Sequence, residues 1–109
     1  VSAQLTLWRY VPVTTRGLTI QQQFDLFHAA NPWVYTALVQ CARDLVGRGH
    51  RRLGIGMLAE VVRWQYFRQT TDASGFKLNN NYRSRYVRLI VEREPDLADL
   101  FETRELRTP

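Results

Sequence analysis

The sequence predicts a mainly α-helical fold, a compact four- to five-helix single domain spanning residues 1–109, and three observations carry that expectation. Apolar residues recur at three- and four-residue spacing through most of the chain. Helix start and stop signals at Thr19, Asn31-Pro32, Gly47-Arg48-Gly49, Asn79-Asn80-Asn81 and Pro95 cut that periodicity into pieces of ordinary helix length. Finally, 109 residues with 45% hydrophobic content suffice for one core and are too few for two.

The elements follow in order. Leu5 to Val13 is rich in β-branched and aromatic residues, so residues 1–17 form either an extended arm or a short strand, which Pro12 would confine to a sheet edge. Thr19 followed three residues later by Gln22 is a capping box, and Ile20, Phe24 and Phe27 then share one face of a helix over about 19–29. Asn31 can accept from free amides and Pro32 suits a first helical position, so a second helix runs to about Val46. Its apolar stripe is Val34, Leu38, Cys41 and Leu45, which makes Cys41 a core residue. In a third helix, about 55–68, Ile55, Leu58, Ala59, Val62 and Tyr66 fill one face while Met57, Val61 and Trp64 cover much of the other. Such a helix is expected to be central and largely enclosed, with Trp64 buried. Gln69 to Gly75 has turn chemistry and reads as a loop, a tight β-hairpin being the alternative. A fourth helix starts in the asparagine run 79–81 and ends at Glu94, and Pro95 opens a fifth over about 95–103 with Leu97, Leu100 and Phe101 inward.

Several function classes fall away. No apolar run approaches the roughly 20 residues of a membrane span, and the first residues lack a basic region followed by an apolar core, so a cytoplasmic setting is expected. One cysteine and two histidines give no zinc spacing. No Gly-x-Ser-x-Gly elbow occurs, and Gly54-Ile55-Gly56 lacks the rest of a nucleotide loop. Glu60, Asp72 and Lys77 have the residue types of a nuclease-like metal set, yet nothing fixes their mutual distance and Glu60 pairs as readily with Arg63 on its own helix. His28, near a helix end, reads as a capping or partly buried side chain. No enzyme activity, metal or cofactor is expected.

Charge points elsewhere. Residues 45–91 hold nine basic side chains against Glu60 and Asp72, a net +7, while residues 1–44 carry +1 and residues 92–109 carry −3. A gradient of that size attracts a polyanion to the middle and leaves the tail repelled or folded back. At 100° per residue, Tyr82, Tyr86, Leu89 and Ile90 lie on one face of the fourth helix, with Asn81, Ser84, Arg85 and Arg88 on the other. Asn, Ser and Arg are the side chains that read base edges or grip phosphates, and Lys77, Asn79 and Asn80 extend the set to a helix N-terminus whose free amides suit a phosphate. A second basic element, Arg48, His50, Arg51 and Arg52, occupies the loop between the second and third helices, where guanidiniums would position phosphate without reading bases. The plainer alternatives are an ordinary solvated helix face and a solvated loop that offsets a helix dipole. About ten residues separate the third and fourth helices, so any helix-turn-helix here is an atypical one.

Phe27 to Tyr35, Gly54 to Trp64 and Gly75 to Ile90, the last with the distinctive string Phe-Lys-Leu-Asn-Asn-Asn-Tyr-Arg, resemble small uncharacterised proteins encoded in bacteriophage and prophage genomes. The likeness spans most of residues 24–107. It implies a phage-related setting in a bacterial host cell and no particular activity. Two functional readings result. One is a nucleic-acid-binding protein, with double-stranded DNA as partner. The other is an interaction module that binds a host or phage protein through aromatic anchors such as Trp8, Tyr10, Trp33, Tyr35 and Trp64. A homodimer contact, for instance through residues 1–23, stays open in both.

Overall fold

The computed structural model describes residues 8–72 and 76–101. Four α-helices, α1 (Ile20–Ala30), α2 (Pro32–Gly47), α3 (Ile55–Gln69) and α4 (Asn80–Arg93), precede a 3-10 helix at Pro95–Leu100. Among the described residues there is no strand, and no helix is long and apolar enough to cross a membrane. The Leu5 to Val13 stretch, as far as it is described, is therefore an arm. Residues 73–75 of the expected loop and 102–103 of the expected fifth helix lie outside the described residues. The fifth helix is a 3-10 helix that ends at Leu100, and Leu97, Leu100 and Phe101 are buried as expected.

Local signals set the helix ends. At the start of α1 the Thr19 hydroxyl accepts from Gln22 N–H while the Gln22 side chain accepts from Thr19 N–H, a complete capping box. α2 closes in a Schellman motif: Gly49 N–H donates to Val46 C=O, His50 N–H donates to Leu45 C=O, and Gly49 takes φ +103°, a left-handed conformation that glycine adopts without strain. Asn79 caps α4 by accepting from Asn81 N–H at 2.8 Å.

α4 packs against each of the other four elements, and its Tyr86 and Ile90 have no exposed surface. Around it lies an aromatic core. Phe24 meets Tyr86 edge-on at 4.8 Å between ring centroids, Phe27 lies 5.1 Å from Tyr82, and Trp33 stacks on Tyr66 at 5.4 Å and meets Phe76 edge-on at 5.0 Å. Cys41 is buried among these helices as expected, and burial pushes its thiol pKa up.

The arm is held by buried Asn31. Its Oδ1 accepts from Val11 N–H at 2.6 Å, and its Nδ2 donates to Val11 C=O at 2.8 Å and to Phe27 C=O at 3.2 Å. The sequence reading gave this side chain to the free amides of α2, but no such cap bond forms. Pro32 already removes one of those amides, and the arm's backbone takes the side chain instead. Trp33 Nε1 donates to Arg9 C=O at 2.8 Å, and Trp8 packs on Trp33 at 5.5 Å, which carries the arm across the top of the core.

α3 departs most from expectation. Leu58, Ala59, Val62 and Tyr66 are buried against α2 and α4, but the opposite face lies open: Trp64 is 61% exposed and Phe67 64%. A helix that is apolar on two sides can lie at the centre of a fold or at its edge, and here no described element covers the second side.

Two outcomes follow. Asn31→Ala strands both polar groups of Val11 and should destabilise the domain by about 2 kcal/mol, read by denaturant melts, with the Trp8 and Trp33 emission shifting as the arm loosens. His28, stacked on Phe24, has its pKa lowered below the usual 6.5 by burial and then by the Arg93 charge, with Asp25 opposing. The folded state thus binds fewer protons than the unfolded one, so this contribution is complete above pH 6.5 and declines as pH falls toward the depressed value. Thermal melts between pH 7 and pH 5 should show that decline, and His28→Phe should remove most of it.

Candidate nucleic-acid interface

The +7 segment is not uniformly available. Arg48 Nε lies 3.1 Å from Asp44 Oδ2 on the preceding turn, Arg63 lies 3.5 Å from Glu60, and half-buried Arg83 lies 3.9 Å from the other Glu60 oxygen. Gly56 leaves room for this last contact, since a Cβ there would stand 3.2 Å from Arg83 Nη1. Among the described residues, Arg51, Arg52, Arg68, Lys77 and Arg88 have no acid within ion-pair distance, and all five are exposed.

Arg85 does not stand on the open face that the helical wheel assigned to it. It is 5% exposed; Nε donates to Gln21 Oε1 at 3.0 Å and Nη1 donates to Asn81 C=O at 3.1 Å. On the wheel Arg85 borders the core face, and α1 packs on that flank, so the guanidinium turns inward to bond α1 to α4. Arg85 is therefore a structural residue and leaves the candidate set. Asn79 keeps its place on the surface, but its Oδ1 is committed to the helix cap.

What remains on α4 is a strip of Asn80, Asn81, Ser84 and Arg88, all exposed, with exposed Lys77 just before the helix. Buried Phe76 and Leu78, on either side of Lys77, anchor that approach. A cleft lined by Tyr10, Val13 and Thr15 of the arm, Lys77 and the three asparagines borders the helix start. Polarity changes along the strip, because Glu92 follows Arg88 by one turn. The amide and cationic character of the strip runs over the first nine residues of the helix, from Asn80 to Arg88.

The loop Arg48 to Arg52 is fixed at both ends, by the Schellman motif behind it and by Leu53 N–H donating to Leu100 C=O at 2.9 Å ahead of it. Buried Leu53 anchors the exit, while His50, Arg51 and Arg52 project into solvent. Arg52 and Val87 line one depression with Gly54, Gly56 and Phe101, which places the loop beside α4 on its Val87 edge. Val87 follows Ser84 by three residues and Asn80 by seven, so the loop reaches the edge of α4 that borders the strip.

Two acids of the C-terminal part are paired with α2. Arg43 on α2 bridges Glu94 and Asp96, and its hydrogen bond holds the Asp96 carboxyl below its usual pKa. Tyr35 donates to Glu94 at 2.9 Å and its phenol pKa is pushed up to about 12, by burial and then by that carboxylate.

No group of three or more His, Cys, Asp or Glu side chains is arranged for a metal ion among the described residues. Glu60 is held beside Arg63 and Arg83, and Asp72 accepts from the Tyr66 hydroxyl at 2.6 Å. Of the aromatic anchors named from sequence, Trp33 is buried and Trp8, Tyr10 and Tyr35 are half-buried in internal contacts. Trp64 is the exposed one, and the sequence reading missed its neighbour Phe67, whose three-residue spacing from Trp64 was the available signal.

Comparison with protein-family models, with curated proteins and with solved structures finds no match to this chain.

Arg85→Ala should destabilise the domain by about 1–3 kcal/mol, because it removes the guanidinium that bonds Gln21 of α1 to α4 together with a buried, packed side chain. Arg85→Lys should recover little, since an ammonium cannot serve the two partners with a guanidinium's geometry. Chemical denaturation of both variants measures this directly.

Proposed function

We propose that this domain binds nucleic acid, double-stranded DNA in the first place, with the Asn80 to Arg88 part of α4 and the Arg48 to Arg52 loop acting together. Support for the reading comes from the exposed strip of Asn80, Asn81, Ser84 and Arg88 with Lys77 before it, together with exposed Arg51 and Arg52, which have no acid within ion-pair distance among the described residues and sit on a loop that reaches the Val87 edge of the same helix. Arg51, Arg52 and Lys77 supply phosphate contacts that fix register on the duplex. Asn80, Asn81, Ser84 and Arg88 meet base edges in the major groove, amides suiting adenine and the guanidinium suiting guanine. Thr70 to Asn79 separates α3 from α4 by more than the turn of a compact helix-turn-helix, so α4 works as a recognition helix in an atypical frame. In the phage-related setting that the sequence resemblance implies, the duplex would be that of the phage or its bacterial host.

Titration of labelled duplexes over a range of salt tests the reading. Affinity should fall steeply with salt, and Arg51→Ala with Arg52→Ala should weaken binding to all sequences alike and lower the log–log salt slope by about 2. Arg88→Ala should cost about 1–3 kcal/mol on a preferred site and relax sequence preference. The absence of salt-dependent affinity for any duplex would overturn the proposal, and tighter binding to RNA or single strands would overturn its choice of DNA.

A further inference from the structure

Two aromatic side chains of the described residues are exposed, and they are neighbours. Trp64 and Phe67 stack on each other with ring centroids 5.5 Å apart and planes 18° apart, and Met57, 48% exposed, and half-buried Val61 continue the apolar strip along α3. The other aromatic rings are buried or half-buried. A strip of this kind on one helix marks a contact surface.

Its charges indicate what fits there. Glu60 lies one turn before Trp64 and Arg68 one turn after it, four residues away on each side, and both are exposed. We propose that this face binds a second copy of the chain, the two α3 helices running antiparallel across a two-fold axis at Trp64. In that arrangement position 60 of one copy lies level with position 68 of the other, so the acidic end of each strip meets the basic end of its partner. A parallel pair would set Glu60 against Glu60 and Arg68 against Arg68. The antiparallel contact is isologous and closes at two copies. Phosphate is a poorer occupant, because Glu60 stands within the strip beside Trp64.

The four rings of a pair would remove roughly 500 Å² of aromatic surface from water, which with the flanking side chains places the contact at or below the ~1,200 Å² of a small stable interface. A weak, reversible dimer is the result. The contact uses neither the α4 strip nor the 48–52 loop, so it stands or falls apart from nucleic-acid binding.

Sedimentation velocity of the full chain, from low micromolar to several hundred micromolar, tests it. Wild type should pass from monomer to dimer with no larger species. Trp64→Ala, at an exposed position, should keep its helical circular dichroism and weaken association by about thirtyfold or more. Glu60→Arg and Arg68→Glu should each weaken it with helical circular dichroism intact, a check that Glu60→Arg requires because Glu60 also pairs with Arg63 and Arg83, and the double exchange should restore it. Monomer at all concentrations, dimer indifferent to Trp64→Ala, failure of the double exchange to restore association, or a strip filled only by another protein or by nucleic acid would each overturn the proposal.

Discussion

Asn31 is the point at which three parts of the chain are made one. It sits at the junction of α1 and α2 with no exposed surface, and its carboxamide is a hydrogen-bonding partner for the backbone of Val11 in both directions and for the last turn of α1. A buried amide is tolerated only when its groups are paired. The pairing therefore dictates where the arm runs, and with it the lid over Phe27, Trp33 and Phe76. Tyr10 N–H donating to the Tyr66 hydroxyl at 3.3 Å, and that hydroxyl donating to Asp72, extend the same tie to the end of α3. The loop that leads on to Lys77 and α4 thus leaves from a fixed place.

Electrostatics in this domain works by sorting. Asp44 takes Arg48, Glu60 takes Arg63 and Arg83, and Arg43 gathers Glu94 and Asp96 against α2. Such exposed pairs add little stability singly. Their larger effect is on the field: four acids are answered within the fold, and the exposed cations of the 45–91 segment left without an ion pair among the described residues are Arg51, Arg52, Lys77 and Arg88 near α4 and Arg68 on the open face of α3.

What the sequence made legible was local. The capping box at Thr19, the glycine exit of α2, the Asn79 cap and the Pro95 boundary involve residues a few positions apart, and each is where periodicity and turn chemistry put it. Three features were not legible because they depend on which neighbour arrives from far along the chain. Arg85 stands at the border between two helix faces, and only the position of α1 decides that it turns inward. Trp64 and Phe67 lie on the second apolar side of α3, and no periodicity tells which side of such a helix is left uncovered. The Asn31 side chain had two backbone clients in prospect, and the arm claimed it. Of the α4 candidates, Asn80, Asn81, Ser84 and Arg88 keep the exposed positions the helical wheel gave them.

The double anchoring of the Arg48 to Arg52 loop bears on the entropy of any encounter. A free loop must surrender backbone freedom when it is ordered on a partner, at about 1–2 kcal/mol per residue. Here the turn at Gly49 and the bond from Leu53 to Leu100 have already set the path, so the ordering left to be done lies mainly in the side chains of His50, Arg51 and Arg52. A ligand meeting this loop finds the backbone that carries these cations laid out in advance, and needs only to order their side chains.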